Sequence, residues 1–432
     1  MKREFGRHVK RNCANEHKRK DKEEMKVAHF VTIDFGGAYR AAARISDAMQ
    51  NDTCESTLYC RTKNSVQNPG IEILYSGGQR FLSKVKNVGN LLFSSGEIVL
   101  DKFGTDICKK KEFKEADVII LHWVNSFISV SEIDRITAQG KPVIWVMHDM
   151  WNFTGGCHYD RYCNRFKEEC GACPILKSNN LHDRTYRECR KKCLHYRNKG
   201  IAFVAPSTWI QDCARQSKIL KGEEILRIRN PIPTDVYVPM DKKKAQKTWG
   251  IETHKKVILF GAVKATENTQ KGFHHLVEAL NGLDKDQYMV VMFGNNDDVS
   301  DMYGFETKAV GVVKDERKLA LLYNAADVFV APSEQDNYPS TVAEALACAT
   351  PVTAFRIGGM PDMIAHKQNG YLADLNHPQT LADGIIYCAQ HSAELGEYAR
   401  KSVVENNAYE KVGREYRELC ERMMGEKNET EI

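Results

Sequence analysis

Residues 327–355 read DVFVAPSEQDNYPSTVAEALACATPVTAF, and their pattern decides the fold class. The β-branched and aromatic run Asp327–Ala331 predicts a strand buried on both faces. A polar loop containing Pro332 and Pro339 follows, and the alanine-rich stretch Thr341–Cys348 then predicts a helix. Pro351–Phe355 returns to a strand pattern. This order implies a parallel pair, because parallel strands need a crossover between them. The alternation extends upstream through a strand at Lys256–Gly261, a helix at Gly272–Leu280, a strand at Tyr288–Phe293 and a helix at Glu316–Asn324. Downstream, three closing helices are expected within 378–391, 394–404 and 408–424.

The first half carries the same texture from Met25 onward. Strands are expected at Val27–Ile33, Ser56–Tyr59, Asp117–His122, Pro142–Met147 and Ala202–Ala205, with helices over Tyr39–Met49, 129–139 and 208–218. Between the halves, NPIPTDVYVP at 230–239 contains three prolines and reads as a stiff, extended linker. The expected organisation is therefore α/β: a disordered basic extension at 1–24, a Rossmann-like domain at 25–230 with a Cys-rich insertion at 155–195, and a second such domain at 231–408. The last segment, 409–432, is expected to be a helix packing back toward the first domain. Two doubly wound domains would face each other across a cleft at the carboxyl ends of their strands, where ligands bind and a hinge permits closure.

Several segments at those strand ends carry polar chemistry. Asp34-Phe35-Gly36-Gly37-Ala38 joins the first strand to its helix, and the two glycines let backbone N–H groups approach a phosphate. It is not GxGxxG, so a plain αβ turn is an equal reading. His148-Asp149 follows PVIWVM, and His122-Trp123 holds the same place after an earlier strand; either histidine could instead be a satisfied buried residue. In Ser333–Ala345, Asp336 lies on a loop and Glu344 one turn into a helix. The loop carboxylate and the amides at Ser340 and Thr341 suit a sugar and its phosphate, and the helix carboxylate suits a ribose diol. Helix capping is the alternative.

These motifs in combination resemble glycosyltransferase family 4, retaining enzymes of the GT-B fold. The resemblance rests on Asp336 spaced from Glu344-Ala345-Leu346-Ala347-Cys348-Ala349-Thr350-Pro351-Val352, on Gly358-Gly359-Met360-Pro361-Asp362 and on Asn369-Gly370-Tyr371-Leu372. In the first half, HW at 122–123, HDMW at 148–151, FTGGCHY at 153–159 and CGACP at 170–174 resemble a branch associated with colanic-acid-like bacterial surface polysaccharides. The resemblance covers roughly Met25 to Leu419, nearly the whole chain. It implies transfer of a sugar from a nucleotide-diphosphate sugar to a hydroxyl of a glycan or lipid-linked acceptor, without a catalytic metal. By this likeness Lys271 would bind phosphate, Glu344 the ribose and Asp336 the donor sugar, with His148 reaching the sugar from the opposite domain. Gly36, Gly37, Ser340, Thr341 and Asn337 would line the donor, and the backbone near Val313 would meet the base. Two departures stand out: Asp336 replaces the family's usual Glu, and Gly261-Ala262-Val263 lacks its usual Arg, for which Lys264 could substitute.

The chain has 432 residues, 62 basic and 57 acidic side chains, and 14 cysteines. Nine basic and five acidic residues fall in 1–24, and twelve basic and five acidic in 180–230, so the formal charge of +5 is a local property of two stretches. Neither an apolar run of membrane-spanning length nor a signal-type leader is seen, and cytoplasmic placement with reduced thiols is expected. His122, Trp123, Arg190, Lys191 and Lys192 are expected on the acceptor side, with the basic segment 184–199 lying either on an anionic inner-membrane surface or as a solvated helix face. Nucleic-acid binding is disfavoured because no recognised module accompanies the charge. Cys157, Cys163, Cys170 and Cys173 read either as a structural zinc site or as four reduced thiols. Rival functions are a GT-B-fold epimerase or hydrolase, which would need no acceptor, and a non-catalytic sugar-nucleotide- and zinc-binding regulator.

Overall fold

The computed structural model describes residues 24–62, 71–74, 97–100, 103–261, 269–294, 304–375 and 377–430. Residues 1–23 of the basic extension and Lys264, with its neighbours Ala262 and Val263, lie outside the described residues.

Two parallel sheets organise the chain. The first has seven strands, β1 Met25–Ile33, β2 Cys54–Thr62, β3 Ile71–Ile73, β4 Val118–Leu121, β5 Val143–Val146, β6 Ile201–Ala205 and β7 Ile225–Arg227, in the order β3-β2-β1-β4-β5-β6-β7. The second has six, β8 Lys256–Gly261, β9 Tyr288–Phe293, β10 Glu306–Ala309, β11 Val328–Ala331, β12 Val352–Phe355 and β13 Gly370–Ala373, in the order β10-β9-β8-β11-β12-β13. The central strands β4, β5, β6, β9, β11 and β12 are buried along their whole length. Helices must therefore cover both faces of each sheet, which accounts for the continuous apolar runs.

The helices used below are α1 Gly37–Met49, α2 Arg184–Tyr196, α3 Thr208–Gln216, α4 Phe273–Leu280, α5 Glu316–Asn324, α6 Ser340–Ala347 and α7 Tyr409–Thr430. Gly36 caps α1 at φ 89°, ψ 177°, a conformation essentially open to glycine alone. The final helix α7 leaves the second half and lies on α1. Val412, Tyr416, Leu419, Cys420 and Met423 join Met25, Val27 and Ile45 in one apolar cluster. Arg417 Nη1 donates to the Ala48 and Met49 carbonyls at 3.1 Å each, satisfying orphan carbonyls at the end of α1. The two crossings between halves run side by side, tied by the Ile232 N–H to the Asn407 carbonyl at 2.8 Å.

The sequence pattern misses β3, β7, β10 and β13. Ile71–Ile73 and Ile225–Arg227 are three residues long, and Glu306–Ala309 is a polar edge strand. Too few apolar positions remain in such pieces to set a period.

Candidate active site

The carboxyl ends of the two sheets face each other, and the loops there interlock. On the second half, Lys271 Nζ lies 2.7 Å from Asp336 Oδ2, joining the loop after β8 to the loop after β11. Asp336 is buried, its other oxygen accepts the Asn337 N–H at 3.0 Å, and its backbone carbonyl accepts the Gly359 N–H at 3.0 Å. Gly358 sits at φ 52°, with a virtual Cβ only 2.1 Å from that same Asp336 carbonyl, so only glycine fits there. Ser340 and Thr341 open α6 just beyond, partly exposed, with their amides free of any side-chain cap. Val313 is half-buried on the loop after β10. Across the cleft, Gly36 and Gly37 are exposed at the N-terminus of α1.

His148, at the end of β5, belongs to a chain of three imidazoles. Its Nε2 lies 3.0 Å from His122 Nδ1, and His122 Nε2 lies 2.9 Å from His29 Nδ1. His29 Nε2 then reaches Ser56 Oγ at 3.0 Å, which meets Ser46 Oγ at 3.0 Å. The strand order explains this line, because β1, β4 and β5 are adjacent and carry one histidine each on the strand or just beyond it. A neutral imidazole donates from one nitrogen and accepts at the other, so fixing one tautomer fixes all three. Burial pulls His29 down to about 3, His122 well below its ordinary value and His148 down to about 4, although His148 is partly exposed to the cleft. His122, expected on the acceptor side, is thus an internal link.

Next to His148, burial pushes the Asp149 carboxyl up, but His158 at 2.7 Å and the Trp151 N–H at 2.8 Å hold it below its ordinary value. Asp149 also accepts from Trp123 Nε1 at 3.1 Å, and the Trp123 ring stacks on His158. Trp123 is therefore pinned at the cleft wall.

Asn337, expected at the donor, is instead a stitch between the halves. Its Nδ2 donates to the Met147 and His148 carbonyls at 3.1 and 3.0 Å, and its Oδ1 accepts from Ser207 Oγ at 2.6 Å. With the amide fully used and 2% exposed, it has nothing left to offer a ligand. Parallel stitches join Gln335 Nε2 to Asp160 Oδ1 at 2.9 Å and Thr208 to Asp362 at 2.6 and 2.7 Å. A cavity of about 550 Å³ opens beside them, lined by Tyr162, Arg356, Leu372 and Asp374 among others.

Glu344 is fully buried, and its carboxylate is already engaged. Oε1 accepts from Arg44 Nη2 at 2.8 Å and Arg40 Nη1 at 3.3 Å, both on α1, while Oε2 accepts from Tyr323 of α5 at 3.0 Å. Arg44 also reaches Glu316 at 2.6 Å and Tyr237 at 3.2 Å. Sequence reasoning missed both arginines. The available signal was a pair of cations at i and i+4 on a helix otherwise rich in buried alanine.

The Cys-rich insertion is open in sequence to two readings, a structural zinc site or reduced thiols, and the four cysteines concerned are free. No three of Cys157, Cys163, Cys170 and Cys173 bring their sulfurs within 4.8 Å of one another. A tetrahedral site with Zn–S bonds of about 2.3 Å needs sulfurs roughly 3.8 Å apart. Cys157 and Cys173 pack with Ile98 and Leu100, whereas Cys170 turns to α2. There its thiol meets Cys189, and hydrogen bonds from Cys170 and Cys193 hold the Cys189 thiol low.

Lys192, expected on a membrane-facing surface, is fully buried. Its Nζ donates to the Trp151 carbonyl and, at 3.1 Å, to the Thr154 carbonyl, and it lies 3.5 Å from the centre of the Trp151 ring. Asp183 caps α2 and sets the phase that turns Lys192 inward and leaves Arg184, Arg187 and Arg190 outward. Lys191 is half-buried. Lys192→Met keeps the apolar stem but removes two hydrogen bonds from a charged donor, so unfolding free energy should fall by about 2 kcal/mol. Urea denaturation checks this, and an unchanged midpoint would make the ammonium irrelevant to the fold.

Two doubly wound domains with a shared cleft, closed off by a C-terminal helix that returns to the first domain, are the GT-B architecture. Within the second, residues 241–402 match the family model described as glycosyl transferases group 1. The chain is 25% identical over 208 residues to the N-acetyl-alpha-D-glucosaminyl L-malate synthase of Bacillus anthracis, covering 45% of this chain and 53% of that protein. WcaC of Escherichia coli K12, named for a glycosyl transferase of colanic acid biosynthesis, is 27% identical over 250 residues, with 55% and 58% covered. The chain spans about half the length of the curated relatives it matches. Among solved structures, sucrose-phosphate synthase from Thermosynechococcus elongatus superposes with a TM-score of 0.68 at 15% identity, covering 93% of this chain and 100% of that one. HepE from Anabaena, in complex with UDP-glucose, does so at 0.61 and 15%, covering 92% and 100%. Among the described residues no helix is long and apolar enough to cross a membrane.

Proposed function

We propose that this chain is a retaining, hexosyl-type glycosyltransferase of family 4 that moves a sugar from a nucleotide-diphosphate sugar to a hydroxyl of a glycan or lipid-linked acceptor in bacterial surface polysaccharide biosynthesis. The observation that carries it is the Lys271–Asp336 pair at 2.7 Å, set at the carboxyl edge of the second sheet opposite His148. A diphosphate leaving group gains charge as the glycosidic bond breaks. Lys271 and the amides of Ser340, Thr341, Gly36 and Gly37 are the groups that would meet it, through preorganised electrostatics and without a catalytic metal. Asp336 would then exchange Lys271 for donor-sugar hydroxyls, one methylene short of the reach a glutamate would have. The partly exposed edge of His148 would contact the sugar from the other domain. The UDP-glucose held by HepE supports a uridine nucleotide as the first donor to try. The outward row Arg184, Arg187 and Arg190 on α2 suits an anionic acceptor or an inner-membrane surface that carries it, and supports the reading of a cytoplasmic enzyme working at that surface.

The test is a screen of UDP- and GDP-sugars with lipid-linked acceptors, following nucleotide release and product anomeric configuration. Acceptor-dependent release with retained configuration is expected, and Lys271→Met should lower it by about 10²-fold. Release that ignores acceptor would indicate the hydrolase or epimerase alternative, and an inverted product would exclude the retaining class.

A further inference from the structure

Lys271 and Asp336 are not the only groups that join the loops after β8 and β11. Beside them, three metal-ligating side chains converge: His274 and His275 at the start of α4, and Glu334 two residues before Asp336. The Nε2 of each histidine lies 3.3 Å from the same Glu334 oxygen, Oε1. Consecutive helical residues ordinarily diverge, yet these two rings stand only 4.0 Å apart between centroids. We infer that His274, His275 and Glu334 form a binding site for a late first-row divalent cation such as Zn²⁺, Ni²⁺ or Co²⁺.

The separations carry the inference. Metal–N and metal–O bonds of about 2.0–2.1 Å at tetrahedral angles place ligand atoms roughly 3.3–3.4 Å apart. Both nitrogen-to-oxygen distances match that edge, and the full set lies within 4.8 Å. Neither ring nitrogen of His275, both shut off from solvent, makes a well-aligned hydrogen bond, and its Nε2 has the Glu334 carboxylate 3.3 Å away as its charge partner. A cation seated between the Nε2 lone pairs and the Glu334 oxygen would satisfy all three groups at once. Two imidazoles with one carboxylate suit zinc, nickel and cobalt rather than magnesium or calcium, which prefer all-oxygen sites. His274 is half-exposed, which gives the ion a way in and leaves room for a water as fourth ligand.

The backbone makes such an ion consequential. The Glu334 N–H donates to the Gln270 carbonyl at 2.9 Å, and the Tyr162 hydroxyl donates to the Glu334 carbonyl from the opposite domain. An ion here fastens the two loops that carry Lys271 and Asp336, and the site stands whether or not the transferase reading holds.

The experiment titrates Ni²⁺ alone into the untagged full chain under reducing conditions, by calorimetry and by melting temperature, with apo melting curves as a folding control. One Ni²⁺ equivalent is expected, raising the melting temperature, and His274→Ala, His275→Ala and Glu334→Gln should each weaken it at least about tenfold. Should His275→Ala fail to fold, the other two variants, at more exposed positions, keep the test intact. Equal affinity in wild type and His274→Ala overturns the site. So does loss of the ion only on replacing Cys157 and Cys173 by Ser, or the absence of any binding by the wild type.

Discussion

Glu344→Ala should lower the unfolding free energy by about 3–5 kcal/mol, because it strips a buried guanidinium of its deepest counter-charge. Arg44 is 3% exposed, and its Nε and Nη1 have no hydrogen-bond partner. Its hydrogen bonds all pass through Nη2, which meets Glu344 at 2.8 Å, Glu316 at 2.6 Å and Tyr237 at 3.2 Å, while the guanidinium also lies 5.3 Å from the centre of the Tyr237 ring. Glu316 is partly exposed, so its attraction is screened, and Glu344 is the partner held out of water. The substitution also leaves the Tyr323 hydroxyl buried without its acceptor. Urea unfolding with unchanged slope would report the loss. The double variant Arg44→Met/Glu344→Gln should recover part of it, since removing both charges costs less than orphaning one. A loss under about 1 kcal/mol would show that the pair is not a strut between the halves. The same carboxylate is the residue that the family resemblance assigns to ribose. Nucleotide affinity therefore separates the two roles: Glu344→Ala should also weaken UDP binding and abolish transfer, and a folded variant that binds UDP as the wild type does would assign the acid to folding alone.

The second large effect is acid sensitivity. His29 and His122 are fully buried and their folded pKa values lie far below the unfolded value near 6.5. Above that value both states are neutral, and the histidines contribute nothing to the pH dependence. As pH falls below it, the unfolded chain takes up protons that the folded chain refuses, so stability is lost on acidification. Each such group removes up to about 1.4 kcal/mol per pH unit, which makes the loss on the order of 5 kcal/mol between pH 6.5 and 4.5 for the two together. That is comparable with the whole stability of an ordinary domain. His148 adds a smaller share because it is partly exposed. Urea unfolding at pH 7.5, 6.0 and 5.0 should show the fall, and His122→Gln should flatten its slope by about 1.4 kcal/mol per unit. An identical slope in the variant would mean that the imidazole chain is protonated in the folded state. Depressed carboxylates such as Asp149 lose their contribution only lower down, as pH falls toward their folded values, so the comparison isolates the histidines.

Sequence alone went far on whatever is local. The strands Lys256–Gly261 and Tyr288–Phe293 and the helix Glu316–Asn324 occupy the spans expected of them, because apolar period and terminal caps are properties of ten neighbouring residues. The placement of Asp336 on a loop and of Glu344 in the helix that follows was legible for the same reason, as was the Pro-rich crossing. Partners far apart in the chain were not. Arg44 meets Glu344 across 300 residues and Asn337 meets Met147 across 190, and nothing in either neighbourhood encodes the other. His29, His122 and His148 become one chain only because the strand order sets β1, β4 and β5 side by side. Lys192 reads as surface charge in a basic run, yet helical phase buries it under Trp151. Cys170 shares a knuckle spacing with Cys173 but faces Cys189, because the turn at Gly171, φ 143°, sends the two thiols apart. The sequence by itself determined two parallel sheets and the acids at their edge. Only the tertiary structure decided which charges are paired, which imidazoles touch and which carboxylate is already taken, because those depend on where separate strand ends meet in space.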